Sequence, residues 1–264
     1  TQMKTREQED ISPQPRRNDG GPVNDLKYRF NWNAPIVASP HDGKTIYFTA
    51  GERGRSPIFS VPVEPDFRLR IATHVKKVLG GVSAGSINLS GDGRAIIFSA
   101  SSNDAPAEIM SVNTDGSGLR ALTTANKAAL TQFGLRKPEE MDWKGALNTN
   151  IHGFLLKPAN FDAAKKYPLI VLIHGGPQGA WSDNWGYRWN PQIFANQGYV
   201  VFMPNPRGST GYGQKFVDDI SADWGGKAHI DIANGVAEVD KKPFIDKNRI
   251  GAAGASYGGY MVDW

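Results

Sequence analysis

With 264 residues, 39% of them apolar and 21% charged, the chain has the composition of a globular protein that buries a sizeable core in one or two domains. Thirty basic and 26 acidic side chains are interspersed to a net charge of +4, which gives no support to a nucleic-acid or membrane-surface partner. Without cysteine there is no disulfide, thiol nucleophile or thiolate metal site, and the longest apolar run, Leu169 to Ile173, is far too short to span a bilayer.

Residues 1 to about 30 are polar, rich in Arg, Asp, Gln and Pro, and without lasting periodicity, so a loop or frayed terminus is expected there. Two similar units follow. The run Ser39-Pro40-His41-Asp42-Gly43-Lys44-Thr45-Ile46-Tyr47-Phe48 is echoed fifty residues later by Leu89-Ser90-Gly91-Asp92-Gly93-Arg94-Ala95-Ile96-Ile97-Phe98, and Ile58 to Val61 is echoed by Ile109 to Val112. Each unit reads as an Asp-Gly turn, an apolar strand, a loop, a second strand, and then a third near Lys77-Val78-Leu79 or Arg120-Ala121-Leu122. A period of about fifty residues built of short strands is that of a propeller blade. Since propellers close with about 4 to 8 blades, two units either stand as an irregular sandwich or belong with further blades upstream of Thr1, and the second is the expectation. The aspartates of the turns are ordinary hairpin residues, and no metal is expected at them.

After a linker near Thr131 to Pro138 the texture changes to strands alternating with helices. Strands are predicted at Ile151–Lys157, Tyr167–Ile173 and Gly198–Pro204, helices at Pro191–Gln197 and Gly226–Lys242, and a strand of small residues from Ile250. The expected architecture is a partial β-propeller over 1–135, about two blades preceded by the polar loop, and the N-terminal part of an α/β hydrolase with a mainly parallel sheet over 136–264.

The strand at Ile250 leads into Gly254-Ala255-Ser256-Tyr257-Gly258, which fits the G-x-S-x-G pattern of a nucleophile elbow. Five residues with three fixed positions are a weak signal alone; their place after an apolar strand strengthens it. A serine hydroxyl needs a base to take its proton and donors to hold the oxyanion it creates. The donors expected are the backbone N–H groups of Tyr257 and of Gly176, the latter in the His174-Gly175-Gly176-Pro177 loop that follows the strand at Leu169. His174, just past a strand end, is expected to be structural rather than the base. In this fold the acid and then the histidine follow the serine, yet His41, His74, His152, His174 and His229 all precede Ser256, and Asp263 is wrongly placed for the acid. The chain as given is therefore expected to have little turnover by itself. Trp181, Trp185, Tyr187 and Trp189 read as aromatics covering a sheet edge more readily than as a pocket, and Arg207 as half of a structural ion pair more readily than as a substrate anchor.

Together with Asn205-Pro206-Arg207-Gly208-Ser209-Thr210-Gly211-Tyr212-Gly213 and Asp223-Trp224-Gly225-Gly226, the motifs at His174 and Gly254 closely resemble those of the prolyl oligopeptidase family of serine peptidases. The nearest branch is similar to the acylaminoacyl peptidases and bacterial dipeptidyl aminopeptidases. The resemblance covers about residues 139 to 264. It implies a propeller gating a hydrolase domain, short peptides cleaved near their N-terminus, a nucleophile at Ser256, amide donors at Tyr257 and Gly176, and no cofactor or metal. The partner it implies is an oligopeptide substrate, and it does not fix the oligomeric state. The residues alone leave open an esterase on the same fold or a non-catalytic interaction module.

Overall fold

The computed structural model describes residues 36–39, 43–63 and 74–264. The polar stretch at 1–30 and the Pro40-His41-Asp42 part of the first turn lie outside the described residues.

Two four-stranded antiparallel sheets come first. One runs β1 (Ile36–Ala38), β2 (Thr45–Thr49), β3 (Ile58–Pro62), β4 (Lys76–Leu79); the other runs β5 (Ser83–Leu89), β6 (Ala95–Ser102), β7 (Ala105–Asn113), β8 (Arg120–Ala121), each in sequence order. The repeat seen in the sequence is thus a structural repeat: β2 and β6 start fifty residues apart, and each follows a glycine of positive φ, Gly43 at 61° and Gly93 at 71°. Such a φ favours glycine because it has no Cβ to clash. In the second turn the Asp92 carboxylate accepts from Ser90 Oγ (2.6 Å) and from Arg94 N (3.1 Å), bonds that hold it below the usual aspartate range, so it closes its own hairpin. The inward-facing apolar residues of both sheets, among them Ile58, Val78, Ile87, Ile96, Phe98 and Val112, form one buried cluster. Removing those faces from water is what holds the sheets together.

After the short helix α1 (Lys127–Leu130), a five-stranded sheet is built from β9 (Glu139–Lys144), β10 (Asn150–Leu156), β11 (Tyr167–Ile173), β12 (Val200–Asn205) and β13 (Ile245–Gly254) in the order β13-β11-β12-β10-β9. The mainly parallel sheet expected from the sequence is in fact mixed. β11 runs parallel to β12 and β13, whereas β10 runs antiparallel to both β12 and β9. For β9 and β10 the cause is connection length: residues 145–149 join them, too few for the crossover that a parallel pair requires.

Helices α2 (Pro191–Asn196), α3 (Gln214–Asp218), α4 (Lys227–Asp240) and α5 (Tyr257–Asp263) complete this part. α2 starts where its proline predicts. Pro191 occupies the first turn, and the Asn190 side chain accepts a hydrogen bond from Gln192 N at 2.9 Å. α4 lays Ile232, Gly235 and Val239 on Trp143 and Phe202 of the sheet, and Trp143 Nε1 donates to Asp231 O at 2.7 Å. β10, β11 and β12 are buried almost throughout, so the core of this part is the centre of the sheet, and β11 and β13 end side by side at Ile173 and Gly254.

Candidate active site

Ser256 stands between the end of β13 and the start of α5 with φ 57° and ψ −125°. Residues held in such sparsely populated backbone cost about 1–3 kcal/mol, and surrounding structure must enforce the bend. Here the enforcement is backbone on backbone. A Cβ on Gly254 would run into the Gly258 backbone, and a Cβ on Gly258 would run into the carbonyls of Ile173 and His174. The two outer glycines of the motif are therefore steric requirements of packing β13, the bend and α5 against the end of β11. Ser256 itself is exposed. Tyr257, the next residue, is buried; its ring meets Trp224 edge-on at 5.7 Å and its hydroxyl donates to Trp224 O at 2.8 Å, which anchors the first residue of α5.

The loop after β11 lies against the bend. A Cβ built on Gly175 would come 3.2 Å from Ala255 O, 3.4 Å from Ser256 Cβ and 4.0 Å from Ser256 Oγ. Gly176 has φ 130°, and a Cβ there would approach Gln178 N to 2.5 Å, so this turn too needs glycine. The N–H of Tyr257 belongs to the first amides of α5, which have no carbonyl inside the helix to bond.

His174 does not face Ser256. Its Nε2 lies 2.9 Å from Ser209 Oγ and its Nδ1 2.8 Å from Gly175 O, and burial pushes its pKa down. Ser209 Oγ also lies 2.6 Å from Pro206 O, to which it donates. The imidazole thus ties the end of β11 to the loop 206–213. His152 is also engaged elsewhere: its Nδ1 lies 2.6 Å from Tyr212 Oη and its Nε2 3.3 Å from Glu140 Oε2. His74 and His229 are exposed on other parts of the chain, and His41 lies outside the described residues.

Arg207 is 2% exposed and belongs to a buried ion pair. Its Nε donates to Asp231 Oδ2 (2.8 Å), its Nη2 to Asp231 Oδ1 (2.8 Å) and to Ala146 O (2.8 Å), while Asp231 Oδ1 also accepts from Ala146 N (2.9 Å). It cannot reach a substrate. The aromatic group does not act as one pocket: Trp181 is pinned by Nε1 to Leu172 O (2.7 Å), whereas Tyr187 is 87% exposed and Trp189 40% exposed. Asn205, which sequence reading left as one loop residue among several, holds both backbone groups of Trp181, accepting from N at 2.7 Å and donating to O at 3.0 Å. Its only signal in the sequence is a polar residue directly after the apolar run that ends at Pro204.

Antiparallel sheets followed by a mixed sheet, the last strand of which turns at a strained serine, fit part of a propeller followed by the start of an α/β hydrolase. The family model described as Prolyl oligopeptidase family matches residues 185–264. Dipeptidyl-peptidase 5 of Trichophyton equinum is 40% identical over 246 residues, which is 92% of this chain and 33% of the relative. An acylaminoacyl peptidase of Pyrococcus horikoshii superposes with a TM-score of 0.73 at 27% identity, over 92% of this chain and 36% of that one. An acylaminoacyl peptidase in complex with Z-Gly-Gly-Phe-chloromethyl ketone superposes with a TM-score of 0.71 at 25% identity, over 89% of this chain and 35% of that one. The chain belongs to the prolyl oligopeptidase family, homologous to dipeptidyl-peptidase 5 and acylaminoacyl peptidase. It spans about a third of the length of these relatives.

Proposed function

We propose that the chain carries the nucleophile and oxyanion site of a serine peptidase that cleaves oligopeptides near their N-terminus. Family membership implies peptide substrates, and the similarity to dipeptidyl-peptidase 5 and to an acylaminoacyl peptidase holding a peptidyl chloromethyl ketone supports short peptides. In this reading residues up to about 135 are propeller blades, and the hydrolase part starts near 136.

In the reaction proposed, Ser256 Oγ bonds to the scissile carbonyl carbon while the carbonyl π pair moves onto oxygen. The resulting oxyanion accepts from Gly176 N–H and Tyr257 N–H. Its collapse expels the amine, which leaves with a proton, and water then releases the acyl group from Ser256. Each such donor contributes about 3 kcal/mol to the transition state. His152 and His174 are bonded to other groups, and in this reading the proton of Ser256 goes to a base that neither supplies.

The observation that carries the proposal is the strained, exposed Ser256 with Gly175 against its Cβ. A fluorophosphonate probe tests it. Slow labelling confined to Ser256, and abolished in Ser256→Ala, is the expected result; a label on another residue, or equal labelling of Ser256→Ala, would contradict it.

A further inference from the structure

The turn Glu52–Arg55, between β2 and β3 of the first sheet, is wedged among segments of the mixed-sheet part. Arg53 has φ 48°, a left-handed conformation unusual for a side chain other than glycine, so the surroundings must hold it. They do so through the backbone first: Arg53 N donates to Gly211 O at 3.0 Å, and Asp183 N donates to Gly54 O at 2.7 Å. The fit is close. A Cβ on Gly54 would meet the Phe154 ring at 2.6 Å and Trp181 O at 3.0 Å, and one on Gly211 would meet Gly51 C at 3.2 Å. The side chains then clamp outward. Arg53 Nη2 reaches both oxygens of Asp142 (3.0 and 2.9 Å), while Arg55 pairs with Glu140 and, at 3.3 Å, with Asp183.

What the turn holds is what faces the serine. Gly211 belongs to the loop whose Thr210 N donates to Gly179 O at 2.9 Å, and Gly179 packs on Gly175, the residue lying against Ser256. Asp183 continues from Trp181, which Asn205 grips by both backbone groups. The second sheet grips the same place, with Asn103 N donating to Asp183 Oδ1 (2.9 Å) and Ser83 Oγ donating to Asp183 O (2.5 Å).

We infer that Arg53 and Arg55 are positioning residues for the loop 174–183, so that the antiparallel sheets set the placement of the amides facing Ser256 rather than only shielding them. The inference rests on the reading of Ser256 as nucleophile only for its catalytic consequence; the mechanical coupling stands apart from it. Both arginines are spent on carboxylates of the other part, and charge pairs that join two bodies fix their register more than they add to stability.

Backbone hydrogen exchange on the 264-residue chain tests this. In the double variant R53A/R55A, amides of 174–183 and 206–213 are expected to exchange about tenfold faster, while those of α4 and β12 keep wild-type rates. The charge reversal R53D should show the same local loss, and R53D/D142R should restore protection, which a general loss of folding would not do. Unchanged exchange in 174–183, or R53D loss that D142R fails to rescue, would overturn the inference. Fluorophosphonate labelling measured in parallel separates the two claims: absence of labelling in the wild-type chain counts against Ser256, whereas the exchange pattern alone decides the coupling.

Discussion

At Gly258 no room exists for even a methyl group, because the carbonyl of Ile173 occupies the space where it would stand. Gly258→Ala is therefore expected to cost about 1–3 kcal/mol of stability in denaturant unfolding, since the obstacle is backbone and cannot rotate away. Ser256 offers the opposite test. Its φ of 57° suits glycine, so Ser256→Gly should be more stable than Ser256→Ala by about 1 kcal/mol, the strain relieved less the extra chain entropy of glycine. Equal stability of the two variants would show that the bend is unstrained. At Asp231 the carboxylate is fully buried and faces Arg207; Asp231→Ala leaves that guanidinium without its partner and should cost about 3–5 kcal/mol. His152 gives a pH dependence. Burial first, and then the charge of Arg53, hold its pKa below the ordinary histidine value, against the weaker pull of Glu140 and Asp142. The unfolded chain thus takes up a proton that the folded chain refuses, so stability is full above about pH 6.5 and falls as the pH drops through that window. Glu140, its pKa held below the usual glutamate range, adds a loss only at more acid pH. Denaturation midpoints in His152→Gln should stay flat between about pH 7 and 5, where those of the parent decline.

Among the elements, those that bury a regular pattern were legible. β11, β12, α2 and α4 lie where apolar runs, Pro191 and Pro243 place them, and the fifty-residue repeat became two sheets of equal topology. β9 was not seen, because Glu-Glu-Met-Asp-Trp-Lys is an edge strand with only Trp143 buried, and its place is set by pairing with β10. α3 spans five residues after a glycine-rich loop, too few to show a period. β13 begins at Ile245 rather than Ile250; a register irregularity between Tyr167 and Leu169 absorbs the polar stretch between, which hides the strand's first half from an apolar-run reading. The mixed direction of the sheet was also hidden, since it depends on how a five-residue connection is spent and on which strand lies beside β10. At this scale α4 offers a further test. Gly235 lets the helix settle on Trp143 and Phe202, whose rings would lie 2.7 and 2.8 Å from an added Cβ. Gly235→Ala should therefore destabilise by about 1–3 kcal/mol despite the better helix propensity of alanine, as thermal unfolding would show.

For the molecule as a whole, the serine, its bend and the glycine loop were readable because each lies within a few consecutive residues. The frame around them was not. Asp142 lies 89 residues from Arg53, Tyr212 60 from His152 and Asp231 24 from Arg207, and no local pattern links such partners. Long-range placement also decided between the two readings of Arg207, and it showed His174 bonded to Ser209 rather than to Ser256. The family accounts for both parts of the chain together: sheets that repeat and a sheet that ends on a bent serine. A peptide boronate offers the most direct measurement of the central claim, because boron forms a tetrahedral adduct that mimics the oxyanion. A crystal structure of that adduct should show boron bonded to Ser256 Oγ and one boronate oxygen about 2.7–3.1 Å from both Gly176 N and Tyr257 N. Boron bound to another residue, or an oxygen pointing away from these two amides, would contradict the account.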